Sequence, residues 1–135
     1  MSVQAQISEF VRSRAGNRCE YCLMHQSLQG ATFHVEHVQP RSRGGLTEPD
    51  NLALARPSCN FHKADQTMFE DPQTGDCVPL FNPRQDAWDD HVLWRGYRID
   101  GKTPIGRATI SKMHFNSERR LQVRQAEEVF NLFPP

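Results

Sequence analysis

Apolar residues recur at helical spacing at the start of the chain and again in its last third. Over residues 3–14 they predict an amphipathic helix, which Gly16 and Asn17 can end. The same spacing predicts two further helices, one beginning at Thr103 and one at Ser117. The apolar positions of the three helices are Ile7, Phe10, Val11, Ile105, Ala108, Ile110, Met113, Leu121, Val123 and Val129. We expect these helices to be packing elements.

Between the first two helices the pattern changes to short strands and loops. Apolar and polar residues alternate within 31–38, which is the period of a strand. Gly44 and Gly45 then indicate a loop. Residues 51–55 form a short apolar segment that could be strand or helix, and we interpret it as a strand. Pro57 is placed to open a helix that ends near residue 64, so the predicted order is strand, loop, strand, helix.

Shorter pieces follow this unit. Residues 78–81 are predicted to be extended, and segments 91–94 and 97–99 are predicted to form a loose hairpin. The sequence contains no repeat, no low-complexity tract and no linker that would divide it. We therefore predict a single α+β domain over residues 1–135.

Composition argues against a membrane protein. Of the 135 residues 37% are hydrophobic, and no apolar run approaches the roughly 20 residues that span a bilayer. No charged region followed by an apolar stretch opens the sequence, so we expect a cytoplasmic protein with no membrane partner. Its four cysteines are then expected to be thiols or metal ligands rather than disulfides.

The formal net charge is zero, but the charges are unevenly distributed. Residues 1–63 contain seven Lys and Arg against five Asp and Glu, and residues 92–135 contain eight against four. Residues 64–91 contain one against seven. Two mildly basic segments that flank an acidic one are compatible with a local phosphate-binding face. Solvated surface charge is the simpler interpretation of the same pattern.

The residues best suited to catalysis and metal binding are concentrated between Cys19 and Lys63. His-Val-Glu-His at 34–37 precedes the Gly-Gly loop, Asn51 follows His37 by 14 residues, and Asn60 follows it by 23. This order and spacing resemble the HNH family of endonucleases, and the resemblance covers about residues 16–65. The family pattern is an acidic residue and His on one strand, a glycine loop, Asn-Leu on a second strand and a Cys-Asn-x-x-Lys helix.

The resemblance implies both a fold and an activity. The implied fold is a small ββα-metal core at about 16–65, with a zinc-knuckle-like cysteine turn, an N-terminal helix and C-terminal helices in an extension over about 66–135. The implied activity is metal-dependent hydrolysis of phosphodiester bonds in nucleic acid, with double-stranded DNA as the expected partner. A different class stays open, namely a non-catalytic nucleic-acid-binding module on a degenerate HNH scaffold. An adjacent carboxylate and imidazole favour the enzyme.

The resemblance also assigns roles to residues. His37 is the general base, Glu36 and Asn60 bind the metal, and Asn51 holds the loop that orients His37, so that His37, Asn51 and Asn60 form the catalytic set. Imidazole titrates near neutral pH and suits a base, while carboxylate and amide oxygens suit Mg2+ or Mn2+. One difficulty follows from strand geometry, because consecutive residues such as Glu36 and His37 point to opposite faces unless the strand twists or ends there.

Further side chains are candidates for the same site. His34 shares a strand face with Glu36 and is either a further ligand or a partly buried strand histidine. His62 is offset from the Asn60 face of its helix but is a further candidate for the metal. Arg41, Arg43 and Lys63 are expected to contact nucleic-acid phosphates, which positions a strand without reading its bases. For the two arginines, loop solubility is the alternative.

The cysteines depart from the family pattern. Family members with a structural zinc have two Cys-x-x-Cys pairs, and Cys19, Cys22 and Cys59 fit three of the four positions. Arg56 occupies the fourth, and an arginine cannot be a zinc ligand. Cys77 or His62 would have to complete a structural Zn2+ site, or the thiols are buried without metal.

Overall fold

The computed structural model describes residues 2–135 as an α+β protein. Within that range it contains five α-helices and three antiparallel two-stranded sheets. The elements are α1 (Val3–Ala15), β1 (His34–His37), β2 (Leu52–Ala55), α2 (Pro57–Lys63), β3 (Met68–Glu70), β4 (Cys77–Pro79), α3 (Trp88–His91), β5 (Val92–Arg95), β6 (Arg98–Gly101), α4 (Pro104–Met113) and α5 (Glu118–Val129). No helix in this range is long and apolar enough to cross a bilayer.

The helix α1 begins and ends as the sequence predicts. The Ser2 hydroxyl accepts a hydrogen bond from the backbone N–H of Ala5, which satisfies a free donor of the first turn. Gly16 follows the helix in the left-handed conformation, with φ of 62°, and its N–H caps the last carbonyls. The fully buried Val11 packs the helix onto the sheet of β1 and β2.

The predicted strand, loop, strand and helix are confirmed. β1 and β2 pair antiparallel, with His34 opposite Ala55 and His37 opposite Leu52. All four residues of β2 are buried, which explains why its sequence is a continuous apolar run instead of an alternating one. α1 packs against both strands and α2 against β1, so β1 has a helix on each side. Pro57 occupies the first turn of α2, as predicted.

Two short elements of the C-terminal half were not predicted. β3 pairs with β4 in a hairpin whose residues are mostly exposed, so it lacks an alternating apolar pattern. The single turn α3 ends at His91, which we expected to begin a strand. The predicted hairpin is confirmed as β5 and β6, and the predicted extended piece at 78–81 is a strand only over Cys77–Pro79.

A buried ion pair ties the β3–β4 hairpin to α4. The Asp71 carboxylate is fully buried and accepts two hydrogen bonds from Arg107, at 3.0 Å and 2.8 Å. It also accepts the Gln73 N–H and the Thr74 hydroxyl. The Arg107 guanidinium and these hydrogen bonds hold the pKa of the Asp71 carboxyl well below its usual range. The hairpin and α4 are therefore joined by charge as well as by packing.

We predict that Asp71→Asn lowers the melting temperature at neutral pH and that this deficit shrinks in acid. A carboxylate with a depressed pKa stabilises the fold above the unfolded-state value of about 3.9 and loses that contribution as the pH falls toward the folded-state value. Thermal unfolding followed by circular dichroism at neutral and acidic pH measures the difference. Asp76→Asn, an exposed carboxylate of the same loop, is the matched control. An equal deficit at both pH values would contradict the prediction.

Candidate functional site

His37 lies at the end of β1 on the face turned toward α1. It lines a cleft of about 350 Å3. The cleft is formed by Gln4, Ile7, Ser8, Val35, His37, Arg41, Thr47 and Leu52. Partial burial and the positive charges of Arg41 and Lys63 lower the pKa of His37 below its ordinary value. The imidazole is therefore neutral at neutral pH and can accept a proton.

Asn51 holds the loop between β1 and β2. Its side-chain oxygen accepts the Gln39 N–H at 2.9 Å, and its amide donates to the carbonyls of Gln39 at 3.0 Å and Leu46 at 2.9 Å. A Cβ at Gly45 would collide with the Gln39 carbonyl, so this close approach requires glycine. The Asn51 side chain thus ties Gln39 and Leu46 together across the loop.

Glu36 lies on the opposite face of β1 and is buried. Tyr21 donates its hydroxyl hydrogen to Glu36 Oε1, and Lys63 Nζ lies 3.6 Å from Oε2. Burial raises the pKa of the Glu36 carboxyl above its ordinary value, although Lys63 and Tyr21 oppose the shift. Lys63 is itself 1% exposed and donates to the Val38 carbonyl at 3.0 Å. The expected phosphate contact of Lys63 does not fit this position, because its ammonium is directed into the protein.

His34 and Asn60 are polar side chains that solvent reaches on the Glu36 face, His34 exposed and Asn60 half-buried. The Asn60 side-chain nitrogen is 2.9 Å from His34 Nδ1. His34 is exposed, in contrast to the partly buried strand histidine that we considered. The structure thus groups His34 with Asn60, Glu36 with Lys63, and His37 with the cleft on the other face.

The remaining candidates lie away from Glu36. The His62 ring stacks on that of His114, with ring centroids 4.1 Å apart, at the end of α4. Burial and the charges of His114 and Arg120 lower the pKa of His62. Arg41 and Arg43 are exposed in a 3-10 turn, Arg41–Arg43, beside the cleft. The two arginines are open to solvent, as a phosphate contact requires.

Three cysteines form a buried cluster. The sulfurs of Cys19, Cys22 and Cys59 lie within 4.8 Å of one another, and all three residues are fully buried. Burial raises the pKa of the Cys19 thiol to about 12 and raises that of Cys59 well above its usual range. Cys22 is equally buried, but hydrogen bonds from the other two thiols and the charge of Arg120 lower its pKa. The cluster could bind a metal ion through three sulfurs.

The fourth corner of this cluster has no ligand. The Arg56 side chain turns away and donates to Gln29 Oε1 at 2.9 Å. Arg120, from α5, places Nη1 3.2 Å from Cys59 Sγ. Cys77 is exposed on β4, and no other histidine, cysteine or carboxylate among residues 2–135 joins the group. The cluster thus supplies three of the four ligands of a tetrahedral zinc site, and the Arg120 guanidinium lies beside them.

Three residues of these groups were missed by sequence reasoning. Tyr21 lies between the two cysteines of the turn and has the pattern of an ordinary core aromatic. Thr47 contacts the His37 ring from the middle of a polar loop. Arg120 reaches the cysteines from 61 residues away in sequence. The sequence around each of the three residues does not reveal its role, because the side chain it contacts is brought near only by the tertiary fold.

Comparison with known proteins identifies the domain. Residues 19–66 match the sequence model of the HNH endonuclease family. This chain carries an HNH endonuclease domain. The HNH domain spans the cysteine turn, β1, the Asn51 loop, β2 and α2.

A relative extends the similarity beyond the HNH domain. The chain is 26% identical over 113 residues to the Septu protein PtuB of Bacillus thuringiensis. The aligned region covers 79% of this chain and 40% of that protein. The chain therefore spans less than half the length of this curated relative. No solved structure is significantly similar to this chain.

We predict that the purified protein contains well under one equivalent of zinc and that Arg56→Cys increases the zinc content. Arg56 lies three residues before Cys59, the spacing of a Cys-x-x-Cys pair, so a thiol at this position would offer the missing fourth sulfur. Elemental analysis of both proteins, purified without chelator, measures the content. Arg43→Cys, an exposed arginine of the HNH domain, controls for an added surface thiol. Stoichiometric zinc in the unmodified protein would contradict the prediction.

Proposed function

We propose that this protein is a metal-dependent endonuclease that hydrolyses phosphodiester bonds in DNA. The observation that carries the proposal is the position of His37, a neutral imidazole in an open cleft within an HNH domain. Phosphodiester hydrolysis requires an activated water, stabilisation of negative charge on the phosphate and protonation of the leaving oxygen. His37 takes the proton from the attacking water, and exposed Arg41 beside it attracts the phosphate.

The proposed cation site is on the other face of β1. Asn60 offers an amide oxygen beside His34, and the Glu36 carboxylate lies on the same face of β1 as His34, held by Tyr21 and Lys63. Two oxygen donors of this kind fit Mg2+ or Mn2+. A bound cation would supply Lewis-acid polarisation of a phosphate oxygen. Tyr21 and Lys63 hold the Glu36 carboxylate in a fixed orientation, while Asn51 fixes the loop between the two faces.

A second candidate function is a nucleic-acid-binding module that does not cut. One observation favours it, namely that both oxygens of Glu36 face partners inside the protein, with His37 on the opposite side. In that case Arg41 and Arg43 bind phosphates and no step depends on His37. Cleavage and binding measured on the same variants separate the two functions.

We predict that the protein cuts plasmid DNA with added Mg2+ or Mn2+, that EDTA stops the reaction, and that His37→Ala removes most of it. Loss of a general base costs roughly 10²- to 10⁴-fold in rate. The partly exposed His37 ring contributes little to the core, so we expect the variant to remain folded. Gel analysis of nicked and linear plasmid measures the rate, and circular dichroism measures folding.

The matched control is His114→Asn. His114 is an exposed histidine outside the HNH domain, and asparagine tolerates its left-handed backbone, with φ of 55°. Cutting by the control at the wild-type rate is expected. Near wild-type cutting by His37→Ala, or cutting in metal-free buffer, would refute the assignment. Tight DNA binding without cutting by the unmodified protein would support the binding module.

We also predict that Asn60→Ala and the double variant Arg41→Ala/Arg43→Ala fail in different ways. The Asn60 variant should lose cutting but keep DNA affinity, since phosphate contacts dominate non-specific binding. The arginine variant should bind unrelated sequences more weakly. The slope of its affinity against salt concentration, on logarithmic scales, should fall by about one for each arginine that binds a phosphate. Titration of labelled duplex at several salt concentrations measures both quantities.

The control for the double variant is Arg98→Ala/Arg119→Ala. These two arginines are exposed on β6 and α5, outside the HNH domain, so their removal changes net charge by the same amount. Equal loss of affinity in both double variants would show that overall charge, rather than the loop, holds the DNA. Equal loss of DNA affinity in the Asn60 and loop-arginine variants would show that cleavage and DNA binding do not depend on separate residues.

A further inference from the structure

Thr47 contacts the proposed general base directly. Its Oγ1 lies 2.8 Å from His37 Nε2, a full hydrogen-bond distance. Among residues 2–135, His37 Nδ1 has no hydrogen-bond partner. The two ring nitrogens therefore differ, because Nε2 is hydrogen-bonded to the loop and Nδ1 is not.

A neutral imidazole has one N–H and one lone pair, and a hydroxyl can bond with either. If Nε2 carries the hydrogen, it donates to Thr47 Oγ1 and the lone pair of Nδ1 stays available. If Nδ1 carries the hydrogen, the Thr47 hydroxyl donates to Nε2 and no lone pair is left for a water proton. Only the first arrangement allows His37 to act as a base.

We propose that Thr47 is a positioning residue, which accepts the Nε2–H of His37 and so makes Nδ1 the nitrogen that takes the proton from water. This inference rests on the proposed nuclease function and assigns the base to one atom. In the reaction the water O–H bond breaks, its proton forms a bond to Nδ1, and the ring becomes a cation that keeps its Nε2–H bond to Thr47. The hydroxide formed attacks phosphorus, the bond from phosphorus to the leaving oxygen breaks, and that oxygen takes a proton from solvent.

The position of Thr47 is fixed by the loop. The neighbouring Leu46 carbonyl accepts a hydrogen bond from the Asn51 amide at 2.9 Å, and Gly45 packs directly against the Gln39 carbonyl. Asn51 bonds Leu46, and Thr47 follows Leu46 directly. Asn51 therefore acts on His37 through Thr47. A hydroxyl held in this way fixes the ring before substrate arrives.

The test compares Thr47→Val, which keeps the side-chain shape but removes the hydroxyl, with Thr47→Ser, which keeps the hydroxyl. Ser42→Ala is the matched control, since Ser42 is exposed in the same loop and its hydroxyl has no partner in the described range. The first readout is the ring nitrogen chemical shifts of ¹⁵N-labelled His37, assigned with His37→Ala, at a pH where the ring is neutral. It requires neither metal nor DNA.

We expect the Nε2–H form in the unmodified protein, in Thr47→Ser and in Ser42→Ala, and a mixture of the two forms in Thr47→Val. The second readout is plasmid cutting with Mg2+ or Mn2+. Thr47→Val should lower the turnover number by roughly 10- to 100-fold, the cost typical of removing a residue that orients a metal-bound histidine. DNA affinity should not change, and Thr47→Ser should restore most of the turnover.

The two proposals fail in different ways. A predominant Nδ1–H form in the unmodified protein, or an unchanged form in Thr47→Val, overturns the role of Thr47 even if the protein cuts DNA. The expected nitrogen shifts in a protein that cuts no DNA under any cation condition support the Thr47 contact and overturn the nuclease function. Loss of turnover in Thr47→Ser equal to that in Thr47→Val also overturns the inference.

Discussion

The pleat of β1 determines on which face of the strand His34, Glu36 and His37 lie. Because successive strand residues point to opposite faces, His34 and Glu36 lie under α2 while His37 lies toward α1. The four-residue strand is paired along its full length with β2, so Glu36 and His37 face opposite sides of it. The imidazole and the carboxylate are consequently in different environments, one in an open cleft and one in a closed polar cluster.

Buried cations are a second characteristic of the fold, and most of them lack a carboxylate partner. Arg120 donates to the Met113 carbonyl and the Cys59 sulfur, and Arg124 donates to the carbonyls of Tyr97 and Phe115. A buried charge is costly unless it is paired or hydrogen-bonded, and in Arg124 the two terminal nitrogens have acceptors while Nε has none among the described residues. The two arginines thus join α5 to chain segments that hydrophobic contact alone would hold less specifically. Arg120 is one of the contacts that join the HNH domain to the C-terminal extension.

The sequence predicts the parts of this fold that are coded locally. Pro57 opens α2, Gly16 ends α1, and the continuous apolar run of β2 indicates a buried strand. The Asn51 loop is also predictable, since its glycines are required by the backbone itself. Tyr21, Thr47 and Arg120 could not be assigned, because each acts on a partner that is brought near only by the complete fold. The burial of Lys63 belongs to the same class, since a lysine at the end of a short helix is ordinarily solvated.

The cysteines also differ in how they meet solvent. Cys19, Cys22 and Cys59 are closed off from water, whereas Cys77 is exposed on the β3–β4 hairpin. Thiol reagents need access to the sulfur, so the folded chain offers them a single position. A maleimide dye or a spin label can be attached to the unmodified protein there. Such a label would lie outside the HNH domain, on the hairpin tied to α4, and would report movements of the extension from a defined site.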